Sequence, residues 1–481
     1  MTSVQYRLGV DWLRRDRVVM TVCLCCISVG DALADEASRR PNVVVIVIDD
    51  LRPELHTYGV DAVQTPNIDA FARRGVRFNR AYCQYTVCNP SRSSFLTGKR
   101  PDELEIYTNE VPLRRKHPEL VTLPQAFRQA GYRTAGLGKI FHKGLDERGA
   151  PTLFRDDISF EYGFRSLGRS PKIGEEGEGR YAGDGSIPWC RWLAAKGGDA
   201  AQPDGILAEE AVRVLEEFDN ESFFLGVGFH KPHDPFIAPS EYFKPYDVAN
   251  VTLAEAPDDR TPLNKHALPR SYDFSIFSEQ DRREIKRAYH ACVTFVDAQV
   301  GKVMACLDRL DLWGNTIVVV MGDHGYHLGE HGWWNKVTVF ELGSRTPLMV
   351  WVPDTASNGT ASDVIVELVD LYPTLLDYCG IDPPHELAGE SLRPVLDGDT
   401  DASRDDDAYT QVTRGGVGMG YSVRTDRFRF TQWGRDGEGG YELYRHPDDP
   451  TEYHNLAGDP AYSGQTVQLK SRLRDGFPSL R

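Results

Sequence analysis

Hydrophobic residues in this chain fall into short unbroken runs separated by amphipathic stretches. Asn42–Ile48 reads NVVVIVI, a β-branched run with no polar alternation. A strand of that kind is buried on both faces, as strands of parallel sheets are. Comparable runs lie at Arg133–Leu137, Phe223–Phe229, Thr316–Met321 and Leu348–Val352. Between them, Ile68–Arg74, Leu123–Ala130, Ile206–Phe218, Glu279–Leu310 and Val364–Cys379 carry apolar positions at helical spacing. Strands alternating with helices predict an α/β fold, a large and mostly parallel sheet sandwiched by helices.

The pattern changes after Pro394. Asp399–Asp407 is a charged, Ser/Asp-rich linker. Short alternating runs follow at Ala408–Thr413, Gly420–Thr425, Phe428–Trp433 and Tyr441–Arg445, with a tight hairpin expected at Thr425-Asp426-Arg427. They predict a small C-terminal antiparallel sheet, and Thr466–Arg474 a helix after it. The division expected is a catalytic-size α/β domain over 35–394 and a C-terminal subdomain over 395–481. Glu161–Asp204, rich in Gly, Ser and charge, reads as a long surface excursion.

The first residues read differently. Arg14, Arg15 and Arg17 precede an apolar run from Val18 to Val29, and Ala32-Leu33-Ala34 offers a small-x-small cleavage site. This predicts a signal peptide over 1–34 and an exported protein, periplasmic or extracellular, or lysosomal or secreted in a eukaryotic host. No later apolar run is long enough for a membrane span. The 481-residue chain is 41% hydrophobic, which excludes a wholly disordered protein. Its formal charge of −16 argues against a general nucleic-acid binder but leaves room for a local basic pocket. Of nine cysteines, three fall within 1–34. The other six are not spaced as a zinc or disulfide framework.

Chemistry is expected at strand ends, because open α/β sheets bind ligands beyond the carboxyl ends of their strands. Asp49-Asp50 follows the first run directly, and Asp323-His324 follows Thr316–Met321 in the same way. Three carboxylates and an imidazole there can converge on one hard divalent cation, and calcium tolerates irregular oxygen shells. The ordinary reading is a helix cap and a loop histidine. His324, His327 and His331 suggest zinc, but the His-Glu-x-x-His pattern is absent. A further segment, Cys88-Asn89-Pro90-Ser91-Arg92, continues to Thr97-Gly98. Pro90 suits a first helical turn and Gly98 a helix end, which puts Cys88 at the positive N-terminus with Arg92 one turn on. A lone cysteine is more often an inert buried thiol.

Cys-x-Pro-Ser-Arg-x4-Thr-Gly resembles the signature of the type I sulfatases, of the alkaline phosphatase superfamily, with all six fixed positions present. The chain is most similar to the iduronate-type branch. The supporting segments are Asp49-Asp50-Leu51-Arg52-Pro53, Gly138-Lys139-Ile140-Phe141-His142, His230-Lys231-Pro232-His233, Gly322-Asp323-His324-Gly325 and Leu328-Gly329-Glu330-His331-Gly332. Gly420–Thr425 extends the likeness into the small domain.

The resemblance implies an alkaline-phosphatase-like fold and a sulfuric ester hydrolase. It implies that a maturation enzyme oxidises Cys88 to formylglycine. One hydroxyl of the hydrated aldehyde attacks the sulfur, and the second expels sulfate. It implies one divalent metal, Ca2+ ahead of Mg2+ or Mn2+, held by Asp49, Asp50, Asp323 and His324 with residue 88 itself. Arg92 is implied to hold the modified residue, Lys139 and Lys336 to pair with sulfate oxygens, and His142 and His233 to move protons. Taken singly, each of these lysines reads as solvated and each histidine as a structural hydrogen-bonder. The implied substrate is a sulfated oligo- or polysaccharide, with a uronic acid or related sugar carrying the sulfate. Glu103–Arg115 and Glu161–Asp204 depart from the branch pattern, so sugar and position stay open. A phosphate mono- or diester hydrolase of the same superfamily and a non-catalytic sulfated-glycan-binding protein remain alternatives.

Overall fold

Eight strands make the central sheet: β1 (Asn42–Ile48), β2 (Val76–Tyr82), β3 (Arg133–Gly138), β4 (Tyr162–Phe164), β5 (Phe223–Phe229), β6 (Thr316–Gly322), β7 (Arg345–Trp351) and β8 (Ala361–Glu367). The computed structural model describes residues 40–145, 148–165, 172–218, 221–399 and 407–481. The expected export segment and most of the linker lie outside them. Across the sheet the order is β8-β2-β7-β6-β1-β5-β3-β4. Every neighbouring pair is parallel except those of β7, which runs against both β6 and β2.

β1 lies inside the sheet and is wholly buried. Val44, Ile46 and Ile48 enter one core, Val43, Val45 and Val47 the other. Each such side chain contributes about 1.5–3 kcal/mol by leaving water. Helices Pro66–Arg74, Pro203–Phe218 and Glu279–Arg309 cover the first face, and Cys88–Thr97, Leu123–Gln129 and Leu371–Cys379 the second. The two-sided run read from the sequence is therefore a strand between two helical layers. Among the described residues no helix is long and apolar enough to cross a membrane.

The structure departs from the pattern in three places. Val364–Cys379 is not one helix: Ala361–Glu367 is strand β8, and the helix begins at Leu371. Val364-Ile365-Val366 is a β-branched triplet, and β2 offers it a parallel partner. β2 itself (VRFNRAY) alternates polar and apolar residues and has no continuous apolar run. The Glu161–Asp204 excursion is structured as well. It supplies β4, and its strands Gly177–Tyr181 and Arg191–Ala195 form a three-stranded sheet with Phe236–Pro239.

The C-terminal sheet is antiparallel throughout, β9 (Ala408–Arg414), β10 (Gly418–Arg424), β11 (Phe428–Trp433) and β12 (Gly440–Arg445) in sequence order. The expected hairpin closes with Thr425 N–H donating to Phe428 O at 2.8 Å. Helix Ser463–Gly476 packs Leu469 and Leu473 onto Tyr409, Tyr421 and Phe430.

A buried ionic network joins this sheet to the central one. Arg429 donates to Glu341 at 2.7 Å and to Glu452 at 2.6 Å. Arg424 reaches Glu341 at 3.3 Å, Tyr82 donates to Glu341 at 3.0 Å, and His446 lies 2.7 Å from Glu452. Glu341, His446 and Glu452 have donor-atom spacing that fits a metal ion, but both carboxylates already accept from Arg429. Removing Arg429 leaves two buried carboxylates under-compensated. Arg429→Ala is expected to lower stability by about 3–5 kcal/mol, measured by urea unfolding. A loss below ~1 kcal/mol would show that the network is not structural.

Candidate active site

Sheet register alone brings the first site residues together. Ile48 lies opposite Gly322 of β6 and Phe229 of β5. The residues that follow, Asp49, Asp323 and His230, therefore leave three adjacent strands side by side. Gly138 lies opposite Gly228, so Lys139 joins the row from β3. Gly228 permits this approach, since a Cβ there would lie 2.2 Å from the Lys139 carbonyl carbon. Asp50 turns the chain with φ 60°. Its carbonyl accepts from Tyr289 Oη at 2.8 Å, and that oxygen accepts from Arg52 N–H at 3.1 Å.

The Cys88–Thr97 helix lies under this row, and all ten of its residues are buried. Gly98 ends it in the left-handed conformation, φ 64°. Arg92 donates to Asp323 Oδ2 at 2.9 Å, to Asp49 Oδ1 at 3.2 Å, and to the carbonyls of Lys139 and Ile140. Ser91 Oγ donates to the Asp323 carbonyl at 2.5 Å. Cys88 Sγ is 3.4 Å from His324 Nε2 and 3.2 Å from Lys336 Nζ. Lys139 pairs with Asp49, and Lys336 with Asp50. Burial pushes the Cys88 thiol up to about 12.

Hydrogen bonds decide the histidine tautomers. His324 Nδ1 is 2.8 Å from the Gly325 carbonyl, which can only accept, so Nδ1 carries the proton. Nε2 then faces Cys88, Asp50 Oδ1 at 3.5 Å and Asp323 Oδ2 at 3.7 Å. His233 follows the same logic. Its Nδ1 donates to the Asp234 carbonyl at 2.7 Å, and Nε2 faces Asp49 and Asp50 at 4.0 and 3.9 Å. Burial and the charge of Lys336 hold His233 well below the usual histidine range. Burial, with Lys139, holds His142 down to about 3. Burial raises the Asp49 carboxyl, but Lys139, His233, Arg92 and Lys336 outweigh it and keep that carboxyl well below its ordinary value.

Other groups hold these side chains in place. The His230–His233 loop is tied to helix Pro203–Phe218 by Asp204, which accepts from the backbone N–H of His230 and Lys231 at 3.0 and 2.7 Å. The His230 and His233 rings stack with centroids 4.7 Å apart. Arg52 bridges Glu54 at 2.6 Å and Glu330 at 2.9 Å, binding the first acidic segment to the loop that carries Lys336. His327 and His331 pack within the loop that follows β6. His327 is buried and bonded to Thr338 Oγ1 at 2.7 Å. His331 stacks on Phe340 at 4.3 Å and meets the Tyr453 ring at a tilt, with centroids 4.5 Å apart.

The arrangement brings Asp49, Asp50, Cys88, Arg92, Lys139, His233, Asp323, His324 and Lys336 into one connected pocket. His142 borders it through Phe154, whose ring also lies 5.5 Å from Lys139 Nζ. Asp204 and Tyr289 have no signature of their own in the sequence, since each acts only through hydrogen bonds to the backbone of a loop. Donor atoms of Asp49, Cys88, Asp323 and His324 lie within 4.8 Å of one another. Asp50 Oδ2 is buried with no hydrogen-bond partner in the described structure. Carboxylate oxygens, an imidazole lone pair and an orphaned buried oxygen fit a divalent cation.

The fold is alkaline-phosphatase-like. It is similar to a phosphonate monoester hydrolase from Silicibacter pomeroyi, with a TM-score of 0.75 and 23% identity, covering 91% of this chain and 95% of that one. It is also similar to a protein solved with its substrate, D-glucosamine-2-N,6-O-disulfate, with a TM-score of 0.72 and 23% identity over 92% and 98%. Residues 41–381 match the family model described as sulfatase, and residues 329–477 the one described as N-sulphoglucosamine sulphohydrolase, C-terminal. Mouse iduronate 2-sulfatase is 33% identical, covering 92% of this chain and 96% of that protein. The human protein is 32% identical over 96% and 98%. The chain belongs to the sulfatase family and is a sulfatase enzyme.

If these donors form the cation site, calorimetric titration with Ca2+ will show one site per chain. Asp323→Ala is expected to weaken it roughly tenfold or more. Unchanged affinity in that variant would remove Asp323 from the ligand set.

Proposed function

We propose that the enzyme hydrolyses a sulfate ester on a saccharide, with residue 88 acting after its thiol has been converted to formylglycine. Water and the ester give the free sugar hydroxyl, sulfate and a proton. What carries the reading is Cys88 itself, buried in a first helical turn against Lys336 and His324. The hydrated aldehyde supplies the attacking oxygen and the route by which sulfate leaves. A divalent cation held by Asp49, Asp50, Asp323 and His324, with residue 88, would supply positive charge, and a large, irregular set of protein ligands favours calcium over magnesium or manganese.

The chain's own residues do the rest. Arg92 fixes Asp49 and Asp323 and orients the helix that carries residue 88. Lys139 and Lys336 flank that position from opposite sides of the acidic row and hold the sulfate oxygens. The Nε2 lone pair of His233 accepts a proton, because its Nδ1–H is committed to the Asp234 carbonyl. His142, neutral beside Lys139, is the second proton carrier at the leaving oxygen. The iduronate-type relatives make sulfated glycosaminoglycan fragments the first substrates to try. We read residues 1–34 as an export signal, placing the enzyme in the periplasm or outside the cell, or in the lysosome or secreted from a eukaryotic host. A formylglycine-generating enzyme is the implied partner, and the full burial of Cys88 supports its acting before the fold closes.

Protein made alongside such a maturase is expected to show a peptide spanning residue 88 lighter by about 18 Da, outside the ordinary thiol oxidation series. Cys88→Ala is expected to lower sulfate-ester turnover on the order of 10³-fold or more with the fold kept. Full activity in that variant, or faster turnover of phosphate than of sulfate esters by the matured enzyme, would overturn the reading.

A further inference from the structure

Asp234 lies beside the pocket, and the roles given above do not use its carboxylate. It ends the His230–His233 segment, and its side chain is 14% exposed. His233 separates it from the acidic row: Nε2 of that ring faces Asp49 and Asp50, while Nδ1 lies 3.6 Å from Asp234 Oδ1. The Nδ1 proton goes to the backbone carbonyl of Asp234 rather than to its carboxylate. The two cations facing this carboxylate are Lys336 and Lys231. Lys336 is held by Asp50 and Cys88. Lys231 Nζ donates to the carbonyls of His233 at 2.8 Å and Pro235 at 2.6 Å. Among the described residues no donor hydrogen-bonds the Asp234 carboxylate. Cys190 and Tyr326 line the same neighbourhood and offer it no charge.

A largely buried carboxylate without a donor is costly unless something arriving from solution satisfies it. Burial and the nearby charges of Asp50 and Asp49 push this carboxyl up to about 7. His233 links the two places, with Nδ1 3.6 Å from Asp234 Oδ1 and Nε2 facing Asp49 and Asp50, so whatever meets Asp234 is attached close to the reacting group. Resting on the saccharide-sulfatase reading, we propose that Asp234 is a specificity residue. Its carboxylate accepts a hydrogen bond from a hydroxyl or ammonium group of the sulfated sugar, and in its ionised form it turns away sugars that present a carboxylate there. A site built to bond such a group rejects the analogue lacking it, and a like charge placed against the wrong ligand sharpens the choice.

The test compares matured wild type, Asp234→Asn and Asp234→Leu on three sulfate esters: an amino sugar, a neutral hexose and a uronic acid. Wild type is expected to favour the amino or neutral sugar over the uronate by at least about tenfold in kcat/KM. Both variants are expected to cut that ratio by about tenfold or more, chiefly through KM, with Asp234→Asn keeping the side-chain size should the leucine variant unfold. A wild-type preference for the uronate, or a ratio in Asp234→Asn within twofold of wild type, would overturn the proposal. Calorimetry of the same sugars with the unmatured Cys88 protein separates the two readings. Selective binding that follows Asp234, together with no turnover by the matured enzyme, counts against the sulfatase chemistry alone, and binding that ignores the sugar counts against Asp234.

Discussion

Three carboxylates cannot lie side by side in the interior without cations close to them, and Arg92 is the cation that Asp49 and Asp323 share. All three acids are fully buried. The Arg92 guanidinium is planar and permanently charged, so one side chain bonds carboxylates from two adjacent strands and carbonyls from a third. A lysine offers a compact point charge on a flexible stem and lacks that planar fork. Because Arg92 sits one turn after Cys88, the contact that makes the acids tolerable also fixes the helix presenting residue 88. The acidic row and the reactive position are consequences of one ion-pair geometry.

The remaining positive charge comes from loops, and the fold must hold those loops still. Lys139 is set by the close pass of its backbone over Gly228. Lys336 depends on a longer chain of contacts. Arg52 ties its loop to the first strand through Glu330, and Trp333 Nε1 donates to the Lys336 carbonyl at 2.8 Å. His331 anchors the same loop against Tyr453, and its Nε2 donates to the Thr451 carbonyl at 3.0 Å. A substitution at Tyr453 or Glu330 therefore acts on the pocket through Lys336.

The parts of the fold legible in the sequence are those where burial dictates composition. β1, β5 and β6 are buried on both faces, so their apolar runs were readable, and the chemistry follows directly from where they end. β2 and β8 were not readable. β2 mixes polar and apolar residues, and β8 borrows its identity from β2, a partner far away in sequence. The pocket residues were found through the likeness of their motifs to a family, because single lysines and histidines carry no periodicity. Asp204, Tyr289 and Asp234 escaped for a related reason. Each is an ordinary residue type whose role depends on a neighbour brought in by tertiary packing.

The clasp between His331, Phe340 and Tyr453 also imposes an order of events on the growing chain. Domains emerge from the ribosome amino end first, so the acidic row, the Cys88 helix and Lys139 can gather while the last strands are still being made. The second lysine cannot settle until the segment around Tyr453 has arrived to brace its loop. Contacts of such sequence separation form late, after the loop-closure entropy of most of the polypeptide has been overcome. A chain released short of that segment would hold the cradle of residue 88 with one wall of positive charge unfixed.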